Sequence, residues 1–286
     1  MDLCDIQQIK ALLARHGFRF SKSMGQNFLI QSWVPRDIAE ASGAGPGTGV
    51  LEIGPGIGPL TTQLAQRADR VVAVELDRSL QPILAETLAD RPNVSVVYGD
   101  VLKTDLAALA AERFQGLRPL VCANLPYNIT TPVITAFLEA GCFQTITVMI
   151  QREVARRICA APGTGDYGAF SVFCQYHART ELLFDVPPDC FLPAPKVTSS
   201  VLRLTPKEPP AEVDDPEHFF RVVKAAFAQR RKTLLNGLSA AFGSRYSKEA
   251  LAEMLADCGL PAGIRGERLG IPEFARLSKL LRQNLQ

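Results

Sequence analysis

The chain has 286 residues, of which 47% are hydrophobic, and a net charge of +2 at pH 7. This length suits one large domain with an appendage, or two domains, and the composition suits a sizeable globular core. No apolar run approaches the ~18–20 residues needed to cross a bilayer, and the start, MDLCDIQQIK, is too polar and acidic for a signal peptide. These features argue against a membrane protein and predict a cytoplasmic one.

Cysteine and histidine usage gives no sign of a metal centre. The seven cysteines are scattered between Cys4 and Cys258 without a C-x-x-C pair. The three histidines, His16, His177 and His218, show no ligand spacing either. We therefore expect no metal site, and reduced thiols rather than a disulfide framework.

From about residue 47, short β-branched segments alternate with helical stretches. Strands are predicted at residues 49–54, 70–76, 94–100, 120–124 and 146–151, and helices at 60–68, 79–88, 105–114 and 132–139. Strands that are apolar throughout and separated by helices predict an α/β fold with a parallel sheet. Two further apolar stretches, ELLFDV and VTSSVLRL, follow closely on each other. They predict an antiparallel pair that completes a mostly parallel, seven-stranded sheet.

The C-terminal part has a different composition. The segment TPKEPPAEVDDPEH is rich in proline and acid, as linkers are, and the segments beyond it show helical periodicity. We predict an N-terminal arm over residues 1–45, an α/β domain over 46–206, and a linker with a small α-helical domain over 207–286. Residues 196–286 carry 15 Lys and Arg against 10 Asp and Glu. That excess hints at a polyanionic partner.

The first strand leads into a glycine-rich turn, EIGPGIGPLT (residues 52–61). Open α/β sheets bind ligands beyond the carboxyl ends of their strands, and Gly54 and Gly56 let the backbone turn sharply and approach a ligand. The dinucleotide fingerprint G-x-G-x-x-G would require glycine at Pro59. A nicotinamide oxidoreductase is therefore disfavoured, although it stays an alternative.

Acidic residues end the next two strands. Glu75 follows Gly54 by 21 residues and is suitably placed to accept hydrogen bonds from ribose hydroxyls. Asp100 ends the third strand, where a carboxylate can accept from an adenine amino group. The two acids and the glycine turn together predict a pocket for an adenosine-containing cofactor.

The fourth strand ends in VCANLPYNIT (residues 121–130). The Asn124 side-chain oxygen and the Leu125 carbonyl can accept the two N–H groups of an exocyclic amine on a nucleobase, which aims its lone pair at a methyl donor. Pro126 stiffens the loop. The ring of Tyr127 can stack on a base that has left its helix, which contributes roughly 1–3 kcal/mol. We expect stacking to need the ring and not the hydroxyl.

The segments LEIGPGIGPLT, VELD, GD and NLPYNI together resemble the ribosomal RNA adenine N6,N6-dimethyltransferase family, which includes the bacterial enzyme of kasugamycin sensitivity. Matching pieces span nearly the whole chain: KSMGQNFL, MIQREVARRI, YGAFSV, FLPAPKVTSSV and FAQRRKTLLNGL. The usual leucine of the third piece is Phe170 here. The resemblance implies a Rossmann-like class I methyltransferase fold and S-adenosylmethionine as the methyl donor.

The resemblance also implies residue roles. The residues that bind S-adenosylmethionine would be Asn27, Leu29, Gly54, Gly56, Glu75, Asp100 and Asn124. The target adenine would be held by Asn124, Leu125, Pro126 and Tyr127, with Phe191 closing over its other face. The implied substrate is a pair of adjacent adenosines in a 3′-terminal hairpin of 16S ribosomal RNA. Each would be methylated twice at N6, within an immature small subunit, by an enzyme that is monomeric when free.

Basic residues are candidates for contact with RNA phosphates. They are Lys22, Arg152, Arg156, Lys196, Arg230, Arg231 and Lys232. Two alternatives stay open beside the main interpretation. An antibiotic-resistance methyltransferase of large-subunit RNA shares the Asn-x-Pro-Tyr motif, but the long helical C-terminal part argues against it. A non-catalytic assembly or transcription factor is disfavoured by the intact motif.

Overall fold

The computed structural model describes residues 1–20, 26–229 and 231–283. The chain forms two compact units, Met1–Ala155 with Arg179–Pro206 and Arg156–Ala178 with Lys207–Gln286. The first unit ends at Pro206, and residues 156–178 group with the C-terminal helices. The N-terminal arm groups with the first unit.

The first unit contains a seven-stranded sheet, as the sequence predicts. Its strands are β2 (Thr48–Ile53), β3 (Arg70–Glu75), β4 (Val94–Tyr98), β5 (Arg118–Asn124), β6 (Thr145–Gln151), β7 (Ala178–Val186) and β9 (Ser199–Pro206). Their order is β4-β3-β2-β5-β6-β9-β7. The pairs among β2, β3, β4, β5 and β6 are parallel, and β9 runs antiparallel to β6. The carboxyl ends of β2 to β5 therefore share one edge of the sheet.

The helices of this unit form where apolar residues recur at helical spacing, and two of them begin at an aspartate cap. They are α1 (Ile6–Arg15), α2 (Trp33–Ala41), α3 (Pro59–Ala65), α4 (Gln81–Thr87), α5 (Leu106–Arg113) and α6 (Thr130–Ala140). Asp5 accepts from the Gln8 N–H at 2.8 Å and Asp105 from the Ala108 N–H at 2.9 Å. Each aspartate satisfies an amide that the first helical turn leaves free.

The arm joins the first unit through a second, two-stranded sheet. Strand β1 (Phe28–Leu29) pairs antiparallel with β8 (Phe191–Leu192), so that Leu29 lies opposite Phe191. The Ile30 N–H extends the pairing by donating to the Cys190 carbonyl at 2.9 Å. Helix α1 buries Ile9, Leu12 and other apolar residues in the same core cluster as Phe28 and the apolar face of α4.

The second unit is helical. It contains the last residues of α7 (Arg152–Cys159), together with α8 (Ala169–His177), α9 (Pro216–Phe227), α10 (Leu234–Phe242), α11 (Lys248–Asp257) and α12 (Ile271–Gln283). Their core includes Phe219, Leu238 and Phe274, each buried. Helix α9 ends at Phe227 and α10 begins at Leu234. The segment FFRVVKAAFAQRRKTLLNGL, whose apolar residues near helical spacing predict a helix, therefore forms parts of two helices.

All seven cysteines are free thiols. Within residues 1–20, 26–229 and 231–283, no helix is both long and apolar enough to span a bilayer. The same residues contain no cluster of three or more His, Cys, Asp or Glu that could hold a metal ion.

Candidate active site

A cavity of about 230 Å³ opens in the first unit, at the carboxyl ends of β2, β3, β4 and β5. The arm contributes Gln26, Asn27 and Phe28 to its wall. The structure thus brings together most of the predicted site residues, namely Asn27, Gly54, Gly56, Glu75, Asp100, Asn124, Leu125, Pro126 and Tyr127.

The glycine-rich turn forms the wall beyond β2. Gly54 and Gly56 have φ values of 67° and 61°, a left-handed backbone that side chains disfavour. A Cβ atom at Gly56 would lie 3.3 Å from the ring of Phe28, which also lines the cavity. Pro59 begins helix α3 directly after this turn. Glycine here therefore allows both the sharp turn and the close approach of the arm.

Glu75 ends β3 and is 6% exposed. Its Oε1 accepts from the Asp77 N–H at 2.7 Å. Burial raises the pKa of Glu75 to about 7, although backbone hydrogen bonds from Asp77, Gly56 and Leu76 oppose the shift. Further hydrogen-bond donors would therefore stabilise the ionised carboxylate, and ribose hydroxyls are donors of this kind.

Asp100 follows β4 and caps the short turn that comes after it. Its Oδ1 accepts from the Leu102 N–H at 3.0 Å, while its Oδ2 lies 4.0 Å from the Nζ atom of the exposed Lys103. The carboxylate keeps acceptor capacity toward the cavity. An adenine amino group could therefore be recognised here.

A second carboxyl, Glu52, is buried in β2 just before the glycine turn and is 1% exposed. Burial raises its pKa to about 8; the Thr61 hydroxyl opposes the shift and the nearby Glu75 adds to it. No donor among the described residues reaches Glu52 Oε2. Burial thus disfavours the ionised form of Glu52, for which the sequence suggested no role.

The arm is fixed beside the cavity by a polar contact. Gln26 Nε2 donates to Asp77 Oδ2 at 2.6 Å, next to Asn27 in the cavity wall. Two other predicted residues, Leu29 and Phe191, are each 2% exposed and pack in one core cluster with each other. Neither is among the residues that line the cavity in this conformation. Their assigned roles stay predictions.

The end of β5 presents two acceptors. The Leu125 N–H donates to the Met149 carbonyl of β6 at 3.1 Å, which holds the backbone at the strand end. Within the described part of the chain, neither the Asn124 side chain nor the Leu125 carbonyl forms a hydrogen bond. The Pro126 carbonyl closes the following turn by accepting from the Ile129 N–H at 3.2 Å. Asn124 and Leu125 thus keep free acceptors at the cavity wall.

Tyr127 makes a contact that the sequence did not suggest. Its hydroxyl lies 2.6 Å from the Oγ atom of Ser199, which is fully buried at the start of β9. Burial raises the pKa of Tyr127, and the hydrogen bond with Ser199 opposes that shift. The only signal in the sequence was the pair of serines inside the apolar run of VTSSVLRL.

Two exposed leucines also line the cavity and were missed from the sequence. Leu76 and Leu102 are 53% and 44% exposed, and each closely follows a predicted acidic residue. Apolar side chains beside Glu75 and Asp100 suit an aromatic ring such as adenine. Their positions in the sequence, shortly after Glu75 and Asp100, could have indicated that they line the cavity.

The predicted basic residues have varied surroundings. Arg152 Nη1 lies 3.5 Å from Asp185 Oδ2, so its charge is partly neutralised. Arg156 on α7 and Lys196 after β8 are exposed. Arg231 and Lys232 are exposed on the turn between α9 and α10, rather than on a helix. Lys22 and Arg230 lie outside the described residues.

The residues of the cavity fit S-adenosylmethionine. The close backbone at Gly56, the buried carboxyl of Glu75 and the remaining acceptor capacity of Asp100 suit an adenosine, with Leu76 and Leu102 beside its ring. The fold and this site define a class I methyltransferase.

Comparisons with known proteins agree with this class. The family model described as "Ribosomal RNA adenine dimethylase" matches residues 17–258. The chain is 47% identical over 288 aligned residues to the ribosomal RNA small subunit methyltransferase A of Shouchella clausii, covering 100% of this chain and 97% of that protein. It is 48% identical to the protein of that name from Geobacillus thermodenitrificans, covering 98% of this chain and 97% of the relative.

Solved structures share the fold. The crystal structure of the 23S rRNA methyltransferase ErmE has a TM-score of 0.66 at 29% identity and covers 90% of this chain and 100% of its own. A dimethyladenosine transferase from Plasmodium falciparum has a TM-score of 0.75 at 23% identity, with coverages of 90% and 98%.

The chain belongs to the ribosomal RNA adenine dimethylase family. It is therefore an enzyme that methylates adenine in ribosomal RNA, and its methyl donor is S-adenosylmethionine.

Proposed function

We propose that this enzyme dimethylates N6 of two adjacent adenosines in a 3′-terminal hairpin of 16S ribosomal RNA. It would act in the cytoplasm, as a monomer, on an immature small subunit during ribosome biogenesis. The names of the relatives from Shouchella clausii and Geobacillus thermodenitrificans, which match along almost their whole length, support the small-subunit substrate.

The observation that carries the chemistry is the pair of free acceptors at the end of β5. An exocyclic amine is a poor nucleophile because its lone pair is delocalised into the ring. The Asn124 side-chain oxygen and the Leu125 carbonyl accept its two N–H groups and favour a more tetrahedral nitrogen, whose lone pair then faces the donor. Bound S-adenosylmethionine supplies the electrophilic methyl group. The chain contributes mainly alignment and electrostatic stabilisation.

The acceptor base is held by the loop that follows. Pro126 limits the backbone, and the Tyr127 ring stacks on the flipped adenine. Phe191 would cover the other face of the base once the RNA is bound. The cofactor residues Asn27, Leu29, Gly54, Gly56, Glu75 and Asp100 keep the roles assigned from the sequence. Positive charge on Arg156, Lys196, Arg231 and Lys232 supports binding of RNA phosphates.

The test is to map N6,N6-dimethyladenosine in ribosomal RNA from cells that lack this protein, with and without a plasmid copy. We expect the two 16S positions to be unmodified without the protein and restored by the plasmid. Persistence of both dimethyladenosines in the deletion strain would refute the proposal.

ErmE is named a 23S rRNA methyltransferase, so a second assay compares substrates. Purified enzyme is incubated with small subunits from the deletion strain or with naked large-subunit RNA. We expect methyl incorporation into the small subunit alone. Preferential labelling of the large-subunit RNA would support the antibiotic-resistance alternative instead.

A further inference from the structure

The hydroxyl of Tyr127 is tied to a residue 72 positions away in the sequence. Its oxygen lies 2.6 Å from Ser199 Oγ, and Ser199 is fully buried. The Ser199 backbone is held as well, because Ser199 lies opposite Gln151 in the β6–β9 pairing and the preceding Thr198 carbonyl accepts from the Arg152 N–H at 3.0 Å. The tyrosine ring is thus fixed at its far end to the sheet.

From this geometry we infer that Ser199 is a positioning residue for methyl transfer, which sets the angle of the Tyr127 ring against the target adenine. This inference rests on the proposed stacking role of Tyr127. The loop backbone fixes only one end of that side chain, through the turn closed by the Pro126 carbonyl. The hydrogen bond to Ser199 fixes the other end, so a stacked base meets a ring of defined orientation.

The contact matters most for the second methylation. An unmodified adenine offers two N–H groups, one for Asn124 and one for the Leu125 carbonyl. After the first transfer a single N–H is left, so only one of these acceptors can hold the nitrogen. Orientation of the monomethylated base then depends more strongly on stacking. Losing the anchor of the ring should therefore slow the second transfer more than the first.

The experiment measures single-turnover rates and the ratio of monomethyl- to dimethyladenosine on small subunits from a deletion strain. The variants are Ser199→Ala, Tyr127→Phe and the double variant. We expect each single variant to slow the second transfer about 3- to 10-fold, the range that loss of one hydrogen bond allows, and to accumulate monomethyladenosine. Affinity for S-adenosylmethionine, measured by calorimetry, should stay within twofold.

The double variant tests whether the two residues act through one bond. If they do, it is no slower than the slower single variant, because both substitutions remove the same interaction. Multiplied effects would instead mean independent roles and would overturn the inference. Tyr127→Phe keeps the ring, so it provides a second test if Ser199→Ala is unstable.

Ser200→Ala is the matched control. Ser200 is the neighbouring buried serine on β9, and its hydroxyl donates to Asp185 Oδ1 at 2.5 Å rather than contacting Tyr127. We expect the wild-type product ratio from this variant. Wild-type ratios from Ser199→Ala and Tyr127→Phe would overturn the inference while leaving the proposed function intact. A wild-type enzyme unable to methylate small subunits would overturn both.

Discussion

The Leu125 N–H donates to the Met149 carbonyl at 3.1 Å, which extends the pairing of β5 and β6 one residue beyond Asn124. The strand end is therefore held by the sheet, while the Asn124 side chain and the Leu125 carbonyl stay free toward the cavity. A rigid strand end with two free acceptors provides the preorganisation that alignment-based catalysis needs.

Removal of the Asn124 acceptor should abolish transfer. In Asn124→Ala we expect the methylation rate to fall at least about 100-fold, as for loss of other preorganised catalytic groups. Calorimetry should show affinity for S-adenosylmethionine within a few-fold of wild type. Asn124→Asp, which keeps an acceptor oxygen, should be more active than Asn124→Ala. Equal rates for Asn124→Ala and wild type would exclude the role.

Binding of S-adenosylmethionine should strengthen as the pH rises. Burial raises the pKa of Glu75 to about 7 in the free enzyme, and hydroxyls that donate to the carboxylate lower that pKa in the complex. Binding then releases a proton at pH values near and below 7. The dissociation constant should therefore fall about 5- to 10-fold between pH 6 and pH 8.

Glu75→Gln is the control for this titration. Ionisable groups of the donor and of other residues titrate equally in both proteins, so only the Glu75 contribution is lost. The variant should bind more weakly and with a flatter pH profile. Identical profiles for the two proteins would show that Glu75 does not take part in binding.

Glu52 should make stability depend on pH. Burial raises its folded pKa to about 8, whereas an unfolded glutamate has a pKa of about 4.3. The folded state thus holds a proton that the unfolded state releases, and stability from this group is lost as pH rises between those two values. Glu52→Gln should raise the melting temperature more at pH 8 than at pH 5.

Ionisation of the buried Glu52 should lower the free energy of unfolding by on the order of a few kcal/mol at pH 8. Melting curves of wild type and Glu52→Gln at the two pH values measure this effect. The control is Glu139→Gln, which removes a carboxylate at an exposed position on α6. It should leave the melting temperature nearly unchanged at both pH values. A Glu52→Gln shift of the same size at pH 5 and pH 8 would contradict the raised pKa.

The exposed turn between α9 and α10 should bind phosphate. We expect Arg231→Gln combined with Lys232→Gln to weaken binding to small subunits and to lower the slope of log affinity against log salt by about 2, one unit for each lost contact. Lys248→Gln combined with Lys279→Gln changes the net charge equally at exposed positions elsewhere in the same unit. Equal slopes for the two double variants would mean that Arg231 and Lys232 face only water.

Much of the site could be predicted from the sequence because it depends on strand ends. Four predicted strands are apolar throughout and end at Gly54, Glu75, Asp100 and Asn124. In a parallel sheet these residues lie at the carboxyl edge, where ligands bind. Local patterning was sufficient for this, and no long-range contact had to be known. The sheet itself was confirmed with boundaries shifted by one or two residues at most ends.

Contacts between distant segments could not be predicted in this way. The Tyr127–Ser199 bond spans 72 residues, and the pairing of Leu29 with Phe191 spans still more. The break between α9 and α10 was missed because neither glycine nor proline marks the stretch from Gln229 to Lys232. The grouping of residues 156–178 with the C-terminal helices depends on tertiary packing, which periodicity does not report.

We propose that a methyl group meets an adenine amine at the end of β5. A crystal structure of the enzyme with S-adenosylmethionine tests it most directly. We expect the ribose on Glu75, the adenine near Asp100, and the sulfonium methyl directed at the space between the Asn124 Oδ1 atom and the Leu125 carbonyl. A methyl group that points away from this space, or a donor bound outside the cavity, would contradict the account.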